Sequence, residues 1–338
     1  MIRTAYALAA LVWLLTQAAA LAQPNATMEA WRAEYRRPEA VLHPAENPFS
    51  PAKERLGRML FFDPLLSGSG TQSCASCHNP ALSWGNGLRF AVGELGRPLR
   101  LRVPSLIDVA TQPVLGWDGK FPDLESVAFG PITAPGNMNN TEPELLRRLS
   151  AIAGYVQAFG EAFPGEGITR GTIERALATF ERTIVAGAAP FDRWIEGNER
   201  AIDASARRGF VLFNGKAGCA ECHHGPSFTD GSFQDIGSAT GDDIGRAQYF
   251  PGSNKLTYAF KVATLRNVAR RAPYMHDGSV PTLEAVVELY DRGGIERPSR
   301  SELIRPLGLT ADEKAALIAF LRTLDEEPRS FAVPVLPR

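Results

Sequence analysis

The segments Cys74-Ala75-Ser76-Cys77-His78 and Cys219-Ala220-Glu221-Cys222-His223 contain all four cysteines of the chain. In each segment, two cysteines are separated by two residues and followed directly by histidine, which is the spacing that attaches a c-type haem. The two sulfur atoms reach the vinyl groups of one porphyrin, and the imidazole then binds the iron. The sequence therefore predicts two covalently bound haem c groups, with His78 and His223 as iron ligands.

Two other uses of cysteine fit this pattern poorly. A zinc site gathers four ligands from closely spaced pairs, whereas these pairs lie in separate halves of the chain and each has its own histidine. Disulfide bridges within each pair would leave both histidines without a role. We therefore favour haem attachment through Cys74, Cys77, Cys219 and Cys222.

The N-terminus has the features of an export signal. Arg3 precedes an uncharged, mostly apolar segment over residues 5–20, and Ala20-Leu21-Ala22 is typical of a cleavage site. This apolar segment is too short for a spanning helix, although an uncleaved anchor is the alternative. We expect residues 1–22 to be removed and the mature chain to be periplasmic. The net charge of −1 argues against a nucleic-acid-binding surface.

The two halves of the chain repeat one pattern. Residues 56–62 lie upstream of the first haem motif and residues 208–213 upstream of the second, and each segment predicts an amphipathic helix beside the porphyrin. Each motif is followed by a proline and an aromatic residue: Pro80 and Trp84, Pro226 and Phe228. We predict a mainly α fold of two cytochrome c-like domains related by internal duplication, with very little sheet. The predicted domains are residues 23–198 and 199–338.

Other elements follow from periodicity and capping. Apolar residues recur on one helical face over residues 173–184, and Thr310 with Glu313 forms a capping box before another apolar stripe. Proline, glycine and asparagine are dense over residues 130–140 and 237–254, which predicts loops there.

Five further segments show a resemblance to a known family: residues 102–106, 116–120, 130–132, 260–268 and 272–278. On these segments the chain resembles the bacterial diheme cytochrome c peroxidase/MauG superfamily. In that family one haem binds peroxide at an open or openable distal face, and the other haem stores or relays oxidising equivalents. The resemblance covers nearly all of the chain after the signal peptide.

The resemblance assigns a role to Trp117. This residue matches the family's tryptophan between the two haems, where an indole divides one long electron jump into two shorter hops. A core tryptophan beside Asp118 and Gly119 is the alternative from the sequence alone.

The second iron ligand at the His223 haem has two candidates. Met275 lies in the family's loop directly before His276, and a thioether ligand suits electron transfer. In the peroxidases, however, the ligating methionine falls fourteen residues after the loop histidine, and Tyr290 occupies that place here, as in the MauG-like branch. We expect Tyr290 to be the ligand, with Met275 and His276 beside the haem. The alternative is that Tyr290 only packs on its helix.

The distal side of the first haem departs from the peroxidase pattern. Glu94 stands where the family has a histidine that ligates the resting iron, sixteen residues after His78. The family's distal glutamine and glutamate correspond to Val127 and Asn137, while the nearby proline is kept as Pro131. Neither replacement serves in acid–base chemistry, so Glu94 is the candidate substitute acid. A surface carboxylate in a turn is the alternative reading of Glu94.

The resemblance also bears on calcium. The family often holds a calcium ion between its domains through oxygen atoms that include an asparagine before a Pro-Ser or Pro-Thr pair. Arg102 occupies that position here, and Arg271 replaces another contributor. Two guanidinium groups repel a cation and supply its charge instead, which argues against calcium.

These observations predict a periplasmic diheme oxidoreductase. Peroxide is expected to react at the His78 haem and to share its oxidising equivalents with the His223/Tyr290 haem through Trp117. Electrons from a small cytochrome c or cupredoxin would make the protein a cytochrome c peroxidase. Electrons from side chains of a docked protein would make it a MauG-like post-translational oxidase. The non-enzymatic alternative is a diheme electron-transfer cytochrome with both irons closed, which the loss of the distal glutamine and glutamate favours.

Overall fold

The computed structural model describes residues 27–338, so the predicted signal peptide over residues 1–22 lies outside the described residues. The α-helices of the described part are α1 (27–35), α2 (Pro51–Phe62), α3 (Cys74–Cys77), α4 (Leu124–Val127), α5 (Phe129–Thr133), α6 (Glu142–Ser150), α7 (Ala153–Ala162), α8 (Arg170–Glu181), α9 (Pro190–Ile195), α10 (Ala204–Asn214), α11 (Leu283–Arg292) and α12 (Ala311–Arg322). Short 3₁₀ helices lie at Pro64–Leu66, Pro80–Leu82, Glu94–Gly96, Val109–Thr111, Cys219–Glu221, Arg246–Tyr249, Asn254–Leu256 and Val268–Arg270.

The sheet in the described residues consists of two short antiparallel strands, β1 (Phe233–Gln234) and β2 (Phe260–Lys261). Phe233 lies opposite Lys261 in the register. The predicted mainly α fold with very little sheet is therefore confirmed. No helix among residues 27–338 is long and apolar enough to cross a membrane.

Both halves contain the same close crossing of two helices. α2 packs on α8, where a Cβ atom at Gly57 would overlap the carbonyl oxygen of Ala176. α10 packs on α12, where a Cβ atom at Gly209 would overlap the carbonyl oxygen of Ala316 in the same way. Only glycine permits backbones to approach this closely. The repeated crossing agrees with the predicted duplication.

The helix termini largely follow the predicted capping. In α12, the Thr310 hydroxyl accepts a hydrogen bond from the Glu313 amide, and the Thr310 amide donates to the Glu313 carboxylate. This capping box confirms the predicted start of the helix. The helix predicted over residues 173–184 ends at Glu181, because residues 182–184 tighten into turns that still bury Ile184. The loop predicted over residues 130–140 was wrong in part, since α5 occupies its beginning.

Two apolar cores form around the two helix pairs. The first core draws on α2, α6, α7 and α8, and the second on α9, α10, α11 and α12. Each end of the described chain packs against the core of the other half. Tyr35 of α1 lies fully buried in the second core and stacks on Phe228 at a ring distance of 4.9 Å. Phe331 near the C-terminus packs against the first core, where it stacks on Phe62 at 5.3 Å. The division at residues 198 and 199 stays a prediction.

Candidate haem centres

The two haem motifs place their histidines in matching environments. His78 follows α3, and its Nδ1 atom lies 3.2 Å from the carbonyl oxygen of Trp84. His223 follows the 3₁₀ turn of the second motif, and its Nδ1 atom lies 2.9 Å from the carbonyl oxygen of Phe228. Trp84 and Phe228 both adopt positive φ angles, which is uncommon for aromatic residues. Because Nδ1 donates to a carbonyl in each ring, Nε2 is left for iron.

Burial disfavours the charged form of both imidazoles. It lowers the pKa of His78 to about 4, with the hydrogen bonds to main-chain carbonyls acting in the opposite direction. It also lowers the pKa of His223, and the charge of Arg271 lowers that pKa further. A neutral imidazole is the form that binds a metal, so both residues suit the predicted role of iron ligand.

All four cysteines are free thiols in the wall of one cavity. Burial raises the pKa of Cys219 to about 12 and that of Cys222 to about 11, and it also raises the pKa values of Cys74 and Cys77.

The cavity joins the two haem motifs. Its volume is about 790 Å³, and its wall contains His78, His223 and, between the two halves, Trp117. Basic residues outnumber acidic ones in its wall. The six basic residues are Arg100, Arg102, Lys120, Lys261, Arg271 and Arg305, and the two acidic residues are Asp118 and Glu181. Haem propionates are anionic, so an excess of basic groups fits two haems bound in this space.

Contacts from both halves of the chain hold Trp117. Its indole Nε1 donates to the carbonyl oxygen of Arg102 at 2.8 Å, and its own carbonyl oxygen accepts from the Lys261 amide at 2.8 Å. Lys261 belongs to β2, in the second half of the sequence. The predicted relay residue is thus fixed at a contact between the two halves, in the wall of the shared cavity.

Tyr290 and Met275 both line the cavity. The Tyr290 side chain extends from α11, and its hydroxyl makes no hydrogen bond with the described residues. Burial raises the pKa of Tyr290 strongly, and the charges of Cys219 and Cys222 raise it further, which places the phenol near the second haem motif. Met275 adopts a φ of 71° in the adjacent loop.

His276, the residue after Met275, anchors this loop through contacts of its ring and its carbonyl oxygen. Its ring stacks on Phe260 at 3.6 Å, and its Nε2 atom lies 3.8 Å from Asp243. Burial lowers the pKa of His276. Its carbonyl oxygen accepts a hydrogen bond from the Arg102 amide at 2.8 Å, so the loop is tied to the first half of the chain.

The distal residues of the first haem divide into two groups. Val127, Pro131 and Asn137 line the cavity, whereas Glu94 does not. Glu94 is buried directly behind this wall: its amide donates to the Asn137 carbonyl at 2.6 Å, and its Oε1 atom accepts from the Ser69 amide at 2.7 Å. The Oε2 atom of Glu94 has no hydrogen-bond partner among the described residues.

One acidic residue of the cavity was not predicted from the sequence. Glu181 is the last residue of α8 and lines the cavity. Burial raises the pKa of its carboxyl to about 8. Its charge raises the pKa of Cys74, so the carboxyl lies near the first haem motif. Glu181 continues the four-residue spacing of the buried Ile173 and Leu177, and this spacing was the signal that would have found it.

Comparison with known proteins adds to this geometry. The family described as di-haem cytochrome c peroxidase matches residues 51–200. The chain is 48% identical to the methylamine utilization protein MauG of Methylorubrum extorquens over 92% of this chain and 88% of that protein. It is 33% identical to the cytochrome c551 peroxidase of Nitrosomonas europaea over 83% of this chain and 82% of that protein.

A solved structure shares the fold. It is a MauG-like protein associated with microbial copper homeostasis, with a TM-score of 0.80, 31% sequence identity, and coverage of 87% of this chain and 94% of that chain. The chain therefore belongs to the di-haem cytochrome c peroxidase and MauG family, whose members are oxidoreductases with two haem groups.

Proposed function

We propose that this protein is a periplasmic diheme oxidoreductase that reduces hydrogen peroxide to water with two electrons and two protons. The observation that carries the proposal is the single cavity whose wall contains both haem motifs and Trp117. The haems, when bound, supply the redox-active iron that reacts with peroxide and stores oxidising equivalents. The periplasmic location rests on the export signal in the sequence and on haem c attachment.

The residues of the first site favour an open iron face. His78 would hold the iron through Nε2, because its Nδ1 atom contacts the Trp84 carbonyl, and the cavity residues Val127, Pro131 and Asn137 include no strong iron ligand. Peroxide reduction also needs a proton at the leaving oxygen. We propose that Glu94 supplies it through water, because its Oε2 atom is buried without a hydrogen-bond partner among the described residues and its amide is bonded to Asn137 of the cavity wall.

The residues of the second site favour storage of oxidising equivalents. Tyr290 has a hydroxyl without a hydrogen-bond partner in the described residues, close to Cys219 and Cys222. A phenolate is a hard anionic donor that stabilises ferric and higher-valent iron. Trp117, fixed between the two sites, serves as the oxidisable ring that connects them.

Two sources of electrons are consistent with this arrangement. A small cytochrome c or cupredoxin would make the protein a cytochrome c peroxidase. Side chains of a docked protein would make it a post-translational oxidase like MauG. The second source is favoured by Tyr290 in place of a methionine and by the 48% identity to a MauG protein.

The test is the spectrum of the ferric protein before and after peroxide. We expect a high-spin signal from one haem, a low-spin signal from the other, and a rapid change at both when peroxide is added. Two low-spin haems that do not respond to peroxide would instead identify an electron-transfer cytochrome. Adding a reduced small cytochrome c or cupredoxin to the peroxide-treated protein then distinguishes the electron sources, since only a peroxidase oxidises these donors at a fast, saturable rate.

A further inference from the structure

Two buried arginines lie side by side in the cavity wall. The Nη2 atom of Arg102 donates to the carbonyl oxygen of Arg271, and the Nη2 atom of Arg271 donates to the carbonyl oxygen of Thr264. Both side chains are more than nine-tenths buried. The two residues come from opposite halves of the chain, so their contact forms only when the two halves pack together.

Neither guanidinium has an anionic partner in the described part of the chain. No carboxylate lies within 4 Å of either group, the Nε atoms are buried without a hydrogen bond, and the Nη1 atoms make none. Two acids act on Arg271 only through their charges, without an ion pair, and each accepts from a main-chain amide: Asp108 from Ala186 and Asp325 from Ala269. Two adjacent buried cations without a counter-ion are strongly unfavourable, so the site requires an anion.

The pair lies between the relay residue and the second haem centre. The Arg102 carbonyl accepts the hydrogen bond from Trp117. Arg271 donates to the Thr264 carbonyl, and the Thr264 hydroxyl donates to the carbonyl of Ser227, the residue before Phe228, whose own carbonyl accepts from His223. Burial and the neighbouring guanidinium lower the pKa of Arg271 to about 10, which still leaves it charged at neutral pH. Both arginines line the cavity that also contains His223, so an anion bound in this cavity can reach the pair.

We propose that Arg102 and Arg271 together bind the propionate carboxylates of the haem held by His223. The proposal rests on the proposed diheme function, since it requires that haem to be bound. A guanidinium presents its N–H donors in a planar fork that matches a carboxylate, and such charge-assisted hydrogen bonds are short and strong in a buried site. The pair stabilises the reduced, more negative state of the haem and thereby raises its reduction potential.

The experiment uses the diheme protein with Arg271→Gln and Arg271→Lys, and Arg270→Gln as the matched control. Arg270 is the preceding residue, is partly exposed, pairs with Asp325 at 3.7 Å and does not line the cavity. Each protein is checked for two covalent haems. The reduction potentials of both haems are then measured by spectroelectrochemical titration, and the propionate bending bands by resonance Raman spectroscopy.

We expect Arg271→Gln to lower the potential of the His223 haem and to move one propionate band. Arg271→Lys should restore most of the potential but not the band, and Arg270→Gln should change neither. If Arg271→Gln does not retain its haem, Arg102→Lys and Arg271→Lys serve as the test instead. In these two variants a moved propionate band is the expected result. Unchanged potentials and bands in haem-loaded variants overturn the proposal. None of these readouts uses peroxide, so a wild-type protein inert to peroxide would remove the proposed function alone.

Discussion

The indole Nε1 of Trp117 donates a hydrogen bond of 2.8 Å to the main-chain carbonyl of Arg102, whose amide in turn donates to the carbonyl of His276. The ring of the proposed relay is therefore oriented by a backbone that is itself bonded to the loop that contains Met275 and His276. An oxidisable side chain at a fixed place between two redox centres suits stepwise electron transfer.

We expect Trp117→Phe to keep peroxide reactivity at the first haem but to slow oxidation of the second haem at least tenfold. Phenylalanine fills most of the same space but is much harder to oxidise. Rapid-mixing absorbance spectra measure both steps. Trp194→Phe is the control, because Trp194 is buried in the second core and does not line the cavity. Equal inter-haem rates in the two variants would reduce Trp117 to a packing residue.

Replacement of Tyr290 by phenylalanine should convert the second haem from low-spin to high-spin and raise its reduction potential, because the anionic donor is lost. Met275→Leu should leave the low-spin signal in place. Electron paramagnetic resonance of the ferric variants distinguishes the two residues. If the Met275 change alone abolishes the low-spin signal, the ligand is the methionine and the site is a high-potential one.

The distal site should be limited by proton transfer. General acid–base help contributes about 10²–10⁴-fold, so Val127→Gln with Asn137→Glu should raise the rate of reaction with peroxide at least tenfold. Glu94→Gln should lower it, because the amide keeps the hydrogen bond from Ser69 but has no proton to give. Asn137→Gln is the control, since it adds no acid. A silent Glu94 change and no gain in the double variant would show that another step limits the rate.

Glu181 should make stability depend on pH. Its pKa rises from 4.5 in the unfolded chain to about 8 in the folded protein because of burial, so the folded state keeps a proton that the unfolded state releases. Stability is therefore lost as pH rises from about 4.5 to about 8. Glu181→Gln should remove this loss and add a few kcal/mol above pH 8, while having little effect near pH 4. Denaturant titrations at both pH values test this, with Glu174→Gln on the same helix as the control.

Calcium chelation should leave the protein unchanged. The carbonyl oxygen of Arg271 already accepts from the Arg102 guanidinium, and the two positive charges repel a divalent cation. We expect the haem spectra and the melting temperature to be the same with a calcium chelator, with buffer alone and with added calcium. A chelator-induced spectral change that calcium reverses would show that the arginines do not replace the ion.

The motif spacing predicts which cysteines and histidines hold haem, because attachment chemistry fixes a local pattern, and the structure places all six of these residues in the wall of one cavity. The paired helices were also predictable, since their apolar faces and the Thr310–Glu313 box are local signals. The cavity acid Glu181 was missed because an acidic residue on a helix is usually read as solvent-exposed, and its burial depends on packing against the first haem motif.

The position of Glu94 shows the opposite limitation. Its alignment with the family's distal histidine predicted a place near the first haem, but sequence could not show that Glu94 is buried outside the cavity wall, with its amide bonded to Asn137, which lines the cavity. Likewise, the contact of Arg102 with Arg271 joins residues 169 positions apart, and such a pair is set by the docking of the two halves rather than by any local pattern.

The crossing of the chain ends constrains how the protein reaches its native state. Tyr35 needs Phe228 from the second half before it has a place to pack, and the first core receives Phe331 only after nearly the whole chain has been made. Neither half is complete as an autonomous fragment, so separate expression of the halves would leave each with an uncovered apolar surface. Folding therefore has a fixed order: α1 can pack only after the second half is present, and Phe331 covers the first core last.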